Sequence, residues 1–255
     1  MQALIGCTGF VGSWLAGTDS FDFQINRSNL ESLQGAQLDR IVCAGLPATK
    51  WIANRNPAED LANVQRLEGI LKTVRASKFT LISTIDVYPL MTSADEDFDC
   101  EQHPNHSYGA HRLRFERFVR ESFPQVHVVR LPAMFGPGLK KNVIYDLLHD
   151  NQLEAIHPES RFQWYPLTRL ADDLRVIEAE QLPLVNLFTE PLATGAVITK
   201  LFPGKTVGRS AGNPVHYDLH TRHGRLFGGD GRYMMRADAA MSALHKFVHD
   251  QQTMQ

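Results

Sequence analysis

The chain has 255 residues, of which 43% are hydrophobic and 21% charged, a balance typical of a globular protein with a sizeable core. Its formal net charge of −2 gives no general electrostatic attraction to nucleic acid or to an anionic membrane, so neither is expected as a partner. Three widely separated cysteines, together with an apolar N-terminal run too short for export or a membrane span, predict a cytoplasmic location.

Strand and helix signals alternate along the N-terminal half of the chain. Helix 28–33 has Ser28 as its predicted cap, and the acidic segment 91–105 reads as a loop. The alternation predicts an α/β fold, a Rossmann-like doubly wound parallel sheet with right-handed crossovers, followed by a small C-terminal lobe. The predicted strands are 2–5, 21–25, 40–44, 79–83 and 126–130, and the predicted helices are 28–33, 57–76 and 108–122.

After residue 138 the pattern loosens. Polar and glycine-rich stretches at about 139–167 and 203–235 predict the small lobe, with a short helix near 144–148. A helix over 168–178 and a strand over 184–188 are expected to return to the Rossmann core, and a terminal helix covers 237–248. The predicted organisation is therefore a Rossmann domain over 1–138 and a mixed segment over 139–255.

Three glycines spaced three residues apart, Gly6, Gly9 and Gly12, follow the first predicted strand and open a helix. The first allows a tight turn, the second lets the backbone approach a pyrophosphate, and the third lets the helix pack closely on the sheet. The phosphates would lie on N–H groups at the helix N-terminus, where the macrodipole favours negative charge. The motif predicts a dinucleotide site; a tight turn without a ligand is the alternative.

The end of the second predicted strand indicates which dinucleotide is bound. NAD-dependent proteins of this fold usually carry an acid there for the ribose 2′-hydroxyl, whereas this chain has Asn26-Arg27-Ser28. Arg27 can pair with a 2′-phosphate, and Ser28 can donate to it from a helix start. We therefore expect NADP(H) in preference to NAD(H), with Arg27 as a plain surface residue on the alternative interpretation.

Further motifs follow the glycines in a family-specific order. Ser83-Thr84-Ile85-Asp86-Val87-Tyr88 ends the fourth predicted strand, Tyr108-Gly109-Ala110-His111-Arg112 opens a helix, and 130–138 reads Arg-Leu-Pro-Ala-Met-Phe-Gly-Pro-Gly. Together they resemble the extended (atypical) short-chain dehydrogenase/reductase family, its NAD-dependent epimerase/dehydratase-like branch, whose members act on nucleotide sugars. Those members read Gly-x-x-Gly-x-x-Gly, Ser-Ser/Thr-x-x-Val-Tyr-Gly and Tyr-x-x-x-Lys. The resemblance covers about residues 1–140 well and the rest in outline.

The resemblance implies that Tyr108 transfers a proton and that Thr84 binds the substrate oxygen. A free tyrosine has a pKa of about 10 and is a poor base at neutral pH. A nearby cation and the cofactor's positive ring can lower that pKa by roughly one to three units. On the alternative interpretation, Tyr108 is an aromatic at a helix start and Thr84 a hydroxyl at a strand end.

The chain departs from the family at two positions. Arg112 replaces the lysine four residues after the tyrosine; it keeps the charge but is bulkier and planar. It can donate to the ribose hydroxyls and hold Tyr108 partly ionised, or it can mark a protein that binds nucleotide without turnover. Dehydratases carry Asp-Glu where this chain has Ile85-Asp86, and elimination of water needs both an acid and a base, so dehydration is disfavoured. Asp86 is expected to be a solvated or capping carboxylate.

These observations predict an NAD(P)-dependent oxidoreductase or epimerase acting on a nucleotide-linked or other activated sugar. The alternative is a catalytically reduced NADP(H)-binding sensor or scaffold protein. The resemblance also implies a homodimer, by analogy alone, and the segment with Asp218, His220 and His223 is expected to be solvated surface, with no metal site. The expected catalytic residues are Tyr108, Thr84 and Arg112, and the expected cofactor-binding residues are Gly6, Thr8, Gly9, Phe10, Val11, Gly12, Arg27, Ser28, Ala44, Gly45, Ser83 and Arg112.

Overall fold

The computed structural model describes residues 1–253, and its elements alternate as the sequence predicts. The strands are β1 (Gln2–Ile5), β2 (Phe23–Ile25), β3 (Gln37–Cys43), β4 (Arg75–Thr84), β5 (Val126–Leu131), β6 (Ala133–Phe135), β7 (Arg161–Phe162), β8 (Trp164–Pro166), β9 (Leu184–Asn186) and β10 (Leu192–Ala193). The α-helices are α1 (Phe10–Thr18), α2 (Lys50–Arg55), α3 (Pro57–Leu71), α4 (Ser107–Ser122), α5 (Val143–His149), α6 (Leu170–Ala179), α7 (Thr194–Leu201) and α8 (Ala237–Thr253).

The chain folds into two compact units. The first, here called the sheet unit, contains Met1–Pro89, Asp97–Arg130 and Leu170–Val185. The second unit contains Leu90–Glu96, Leu131–Arg169 and the chain from Asn186 onward. The chain therefore leaves the sheet unit briefly at Leu90–Glu96 and again after Arg130, and it returns the second time with α6 and the start of β9.

The sheet unit is built on six strands in the order β2-β1-β3-β4-β5-β9. β1 pairs in parallel with β2 and β3, and β3 pairs in parallel with β4. Ile5 is in register with both Ile25 and Cys43, so these three strands end at one level. The strand order reverses at β1, and the carboxyl end of such a strand is where open α/β sheets bind ligands. The prediction of a doubly wound, Rossmann-like α/β fold is confirmed.

The core of the sheet unit follows from hydrophobic periodicity. In α3 the residues Val64, Leu67 and Leu71 recur at helical spacing and are at most 4% exposed, so one face of the helix is covered. In α4, Phe115 and Val119 are fully buried in the same cluster. Burial of each such side chain contributes about 1.5–3 kcal/mol, which holds both helices against the sheet.

The prediction of a helix over 28–33 with Ser28 as its cap is wrong. Only a 3-10 turn forms, at Leu30–Leu33, with Asn29 in the capping position and no side-chain cap. The Ser28 hydroxyl donates instead to Asn26 Oδ1 over 2.6 Å, and Asn29 Oδ1 accepts from the Asn26 amide over 2.7 Å. Short polar side chains that form hydrogen bonds with the nearby backbone favour turns over helices, and here they hold the chain in a turn.

The predicted helix over 57–76 is too long, and the helix α2 before it was missed. Pro57 stands in the first turn of α3, where its missing N–H costs nothing, and the helix ends at Leu71. Arg75 and Ala76 belong to β4, because they pair in register with Gln37 and Leu38 of β3. Strand pairing thus outweighs the helical preference of that segment.

The second unit carries two small sheets, with β6 parallel to β8 and β7 antiparallel to β10. Trp164 and Tyr165 of β8 are at most 2% exposed and lie in its core. Helix α7 was not predicted, and α8 continues to Thr253, past the predicted end at 248. None of the helices in residues 1–253 combines the length and the apolar character needed to cross a bilayer.

Candidate functional site

The glycine loop is held by close backbone contacts. Gly6 has a φ of +89°, which favours glycine, and the amides of Gly6 and Cys7 both donate to Ile25 O at the end of β2, over 2.7 and 3.1 Å. A Cβ at Gly6 would overlap the Ala44 backbone, and a Cβ at Gly12 would overlap the Gly6 carbonyl oxygen. The loop after β1 therefore lies directly against the ends of β2 and β3.

The N-terminus of α1 begins in this loop. Gly9 is the capping residue and supplies no side-chain hydrogen bond, and the first turn contains no acidic residue. Thr8 and Gly9 are exposed, while Phe10 and Val11 are half-buried. First-turn amides that no side chain caps, beside a cradle that a Cβ would fill, fit an anionic group such as a pyrophosphate.

The other predicted cofactor residues near the strand ends surround the same loop. Ala44 donates its amide to Ile5 O over 2.8 Å, and the following Gly45 is exposed. Arg27 and Ser28 are exposed beyond β2, and the Arg27 guanidinium forms no ion pair within residues 1–253. A cation with no protein partner at this strand end fits a negatively charged group on a ligand.

Tyr108 and Thr84 are brought together as predicted from the motif order. Tyr108 is buried in the first turn of α4, its amide donates to Asn54 Oδ1 of α2 over 2.9 Å, and the Thr84 side chain lies near enough to its phenol to lower the pKa of that phenol. Burial raises the pKa of the Tyr108 phenol, and the lowering effects of Arg112 and Thr84 do not offset it. Without a ligand, then, Tyr108 is a neutral phenol at pH 7.

The start of α4 is fastened to the turn that follows β4. Asn105 Nδ2 donates to the carbonyl oxygens of Asp86 and Val87, each over 3.0 Å, and a Cβ at Gly109 would overlap the Asp86 carbonyl. The Asp86 amide donates to Thr84 Oγ1 over 3.2 Å, so Asp86 takes part in capping this turn. These contacts fix the separation between Thr84 and the helix that carries Tyr108.

Arg112 is committed to protein partners. It is 3% exposed, its Nη1 donates to the buried Asp60 carboxylate of α3, and its Nη2 donates to Pro47 O. Its guanidinium carbon lies 4.1 Å from the centre of the Tyr108 ring. His111 Nδ1 lies 2.8 Å from the same Asp60 oxygen. Burial alone would raise the pKa of Asp60, but hydrogen bonds from Arg112 and His111 outweigh it and hold that pKa below its usual value.

Ser83 contacts a second buried ion pair. Its hydroxyl donates to Glu116 Oε1 over 2.5 Å, and Arg130 donates to both oxygens of Glu116, over 3.1 and 2.7 Å. Burial works against the charge on Arg130, yet Glu116 raises its pKa overall. The Ser83 side chain is therefore engaged within the protein, and its predicted contact with a cofactor stays a prediction.

Several residues near Tyr108 were missed by the sequence analysis: Lys50, Asn54, Asp60 and Asn105. Lys50 Nζ lies 2.7 Å from Asp86 Oδ1. Lys50 and Asn54 stand four residues apart, which could have been read as one face of a helix. The segment lacks a hydrophobic repeat, however, so the sequence did not predict that α2 forms.

The histidines of the second unit form no metal cluster among residues 1–253. The Tyr233 hydroxyl donates to Asp218 Oδ1 over 2.6 Å, and His220 Nε2 lies 3.6 Å from the same oxygen. Burial and the bond to Asp218 raise the pKa of Tyr233, so this group is a neutral, hydrogen-bonded phenol.

No model of a protein family and no curated protein matches the sequence, but solved structures match the fold over its whole length. UDP-glucose 4-epimerase of Thermotoga maritima, solved with UDP-glucose, is 16% identical with a TM-score of 0.72, covering 100% of both chains. MoeE5 with UDP-glucuronic acid and NAD is 15% identical with a TM-score of 0.79, covering 100% of this chain and 99% of the other. RMD from Pseudomonas aeruginosa with NADPH is 17% identical with a TM-score of 0.74, again covering 100% and 99%. At these identities the likeness establishes the Rossmann-like fold.

Proposed function

We propose that this protein is an NAD(P)-dependent oxidoreductase or epimerase of the extended short-chain dehydrogenase type, acting on a nucleotide-linked or other activated sugar. One observation carries the proposal. The Tyr108 phenol lies beside Thr84, because Asn105 fastens the start of α4 to the turn after β4, and both are in the same compact unit as the glycine loop and the uncapped start of α1. The solved structures with the same fold carry UDP-sugars, NAD or NADPH by their descriptions, which supports this class of ligand.

Each residue has a role that its surroundings allow. Gly6, Gly9 and Gly12 hold the pyrophosphate through backbone amides and close approach. The nicotinamide, when bound, supplies or accepts the hydride. Thr84 orients the substrate oxygen, and Tyr108 gives a proton to that oxygen or takes one from it. Because the pKa of Tyr108 is raised, the phenol carries a proton at pH 7, which is the proton that reduction of a carbonyl requires.

We further propose NADP(H) in preference to NAD(H). Arg27 is exposed at the end of β2, and it has no ion-pair partner in the described part of the chain. The two acids nearest along the chain are both engaged elsewhere: Glu31 pairs with Arg66, and Asp22 accepts from the Gln2 amide over 2.6 Å. A ribose 2′-phosphate therefore finds a free cation near this strand end.

The alternative, an NADP(H)-binding sensor with reduced catalysis, has one observation in its favour. Arg112 is 3% exposed and its two terminal nitrogens donate to Asp60 and Pro47 O, so moving the guanidinium toward a ribose hydroxyl would disrupt these bonds. Breaking a buried ion pair costs about 3–5 kcal/mol. Under this alternative, Arg112 does not perform the role in turnover of the family's lysine at this position, while the glycine loop still binds nucleotide.

The test combines binding with turnover. Calorimetry with NADPH and NADH measures the cofactor site, and a panel of nucleotide sugars with each cofactor measures the reaction. We expect Tyr108→Phe to bind cofactor as the parent protein does and to lose turnover by at least about 100-fold. Full activity in Tyr108→Phe would eliminate this mechanism, and absence of nucleotide binding would eliminate the function.

Arg112→Lys separates the two candidates. If the parent protein binds nucleotide but turns over no panel member, a gain of turnover in Arg112→Lys identifies an enzyme whose lysine has been replaced. Continued absence of turnover in Arg112→Lys, with nucleotide still bound, favours the sensor.

A further inference from the structure

A second cation lies close to Tyr108 on a different helix. Lys50 is the first residue of α2, its side chain is 36% exposed, and its ammonium is 2.7 Å from Asp86 Oδ1. Asp86 in turn is 16% exposed in its side chain and donates its amide to Thr84 Oγ1. Lys50 is thus two contacts away from the Thr84 hydroxyl, which lies beside the Tyr108 phenol.

The geometry of α2 directs Lys50 toward this site. Asn54, four residues after Lys50, accepts the Tyr108 amide over 2.9 Å, and residues four apart lie on one face of a helix. The face of α2 that is fastened to Tyr108 is therefore the face that carries Lys50. The charge of Lys50 also acts on His106, the residue directly before α4. Burial and the positive charge of Lys50 together lower the pKa of His106.

The charges around Tyr108 come from four elements. Arg112 of α4 stacks on the ring and favours the phenolate, while Asp60 of α3 and Asp86 after β4 disfavour it. Arg112 and Asp60 are paired with each other, and Asp60 opposes the phenolate less than Arg112 favours it. Asp86 is the remaining acid, and Lys50 of α2 is its partner. His106 caps α4 by accepting the Gly109 amide, which requires an unprotonated Nδ1.

We propose that Lys50 and Asp86 form a positioning pair for Tyr108, in which Lys50 offsets the Asp86 carboxylate and so limits how strongly it opposes ionisation of the phenol. This inference deepens the proposed function and rests on it, since it concerns the proton transfer at Tyr108. The family motif places a cation four residues after the tyrosine, and here that position holds Arg112, which is bound to Asp60; Lys50 on α2 counters the other acid near the phenol. Lys50 acts through Asp86 and Thr84, not by contact with the phenol.

The test measures ionisation of Tyr108 directly, in protein without nucleotide. Fluorinated tyrosine, whose phenol ionises closer to neutral pH, is incorporated at all 6 tyrosines, and the Tyr108 resonance is identified by its loss in Tyr108→Phe. Fluorine NMR titrations then compare the parent protein with Lys50→Met, Lys50→Arg, Asp86→Asn and Lys72→Met. Lys72 is an exposed lysine at the end of α3 and serves as the matched control.

We expect Lys50→Met to raise the pKa of Tyr108 by at least about half a unit, a threefold shift in its ionisation equilibrium. Asp86→Asn should lower that pKa, and Lys50→Arg and Lys72→Met should leave it unchanged. Mere loosening of α2 would expose the phenol and lower its pKa in Lys50→Met, which is the opposite sign. The proposed pair is refuted if Lys50→Met leaves the pKa of Tyr108 unchanged, lowers it, or changes it by the same amount as Lys72→Met does.

Failure of the pair and failure of the proposed function give different results. The titration needs no nucleotide and no substrate, so its outcome decides the role of Lys50 whether or not the protein turns over. Absence of nucleotide binding in calorimetry counts against the proposed function alone.

Discussion

Arg112 stacks on Tyr108 with its guanidinium carbon 4.1 Å from the ring centre. The same guanidinium donates to the buried carboxylate of Asp60, so the cation that stacks on the phenol ring is already paired with a negative charge. A cation over an aromatic ring contributes about 2 kcal/mol or more when desolvated. The stack therefore orients Tyr108, while the pairing with Asp60 limits how far Arg112 can lower the pKa of the Tyr108 phenol.

Asp60→Asn is expected to change the acid stability of the protein. The folded-state pKa of Asp60 is lowered, so its carboxylate contributes stability above the unfolded value of about 4, and this contribution is lost as pH falls through the folded pKa. Urea unfolding should show the parent protein more stable than Asp60→Asn by about 3–5 kcal/mol at pH 7. The difference should shrink below about pH 4.

Glu31→Gln provides the control for that experiment. The pKa of Glu31 is also lowered, by a hydrogen bond from Arg66, but both side chains are exposed to solvent. An exposed ion pair contributes little, so its removal should leave the acid unfolding curve unchanged. A gap between the parent protein and Asp60→Asn that stays constant from pH 7 to the acid limit would contradict the assigned pairing.

Gly12→Ala and Gly17→Ala, both in α1, should have opposite effects. A Cβ at Gly12 overlaps the Gly6 carbonyl, and relief of that overlap moves the loop at a cost of about 1–3 kcal/mol. A Cβ at Gly17 meets nothing within 4 Å, so alanine there should stabilise the helix by about 0.5–1 kcal/mol. Thermal unfolding measures both effects, and NADPH calorimetry should show lost affinity only for Gly12→Ala. Equal affinities in the two variants would argue against a ligand on this loop.

Glu116→Gln should destabilise the sheet unit strongly. Glu116 is fully buried and accepts from both Arg130 and Ser83, so the amide would leave the buried Arg130 charge unpaired at a cost of about 3–5 kcal/mol. Arg120 reaches the same carboxylate over 3.5 Å from a side chain that is 37% exposed. Arg120→Gln should therefore cost less than about 1 kcal/mol in denaturant unfolding. Similar losses in both variants would show that burial does not decide the effect.

Arg27→Ala tests the preference for NADP(H). A charge-assisted hydrogen bond to a phosphate contributes about 1.5–3 kcal/mol, so NADPH affinity should fall by about tenfold or more in calorimetry. NADH lacks the 2′-phosphate, and its affinity should stay within about twofold. An equal change for both cofactors would refute the assignment of Arg27.

The parts of the fold that sequence predicted correctly are those with a local physical signal. β1, α4 and β5 were located to within one residue of each end, because a run of apolar residues or a helical repeat marks each of them. The end of α3 was wrong because Arg75 and Ala76 gain more by pairing with β3 than by extending a helix. The Ser28 cap was wrong because Asn26 and Asn29 compete for the same local hydrogen bonds.

The candidate site divides in the same way. The glycine spacing and the two motifs that carry Thr84 and Tyr108 are short stretches whose order is visible in the chain. Asp60, Asn54 and Lys50 are not, because their partners lie 52, 54 and 36 residues away. Hydrophobic periodicity along the chain carries no information about contacts between residues so far apart in sequence.

The sequence by itself determined that this chain forms a Rossmann-like sheet and that a glycine loop leads from the first strand into the first helix, because glycine spacing and strand periodicity act within a few residues. Only the tertiary structure decided the electrostatics at Tyr108. Burial sets the direction of its pKa, and the packing of α2 and α3 determines which carboxylate each cation meets. Charge interactions in a poorly solvated interior depend on distances through space, and those distances are fixed when separate helices dock on one sheet.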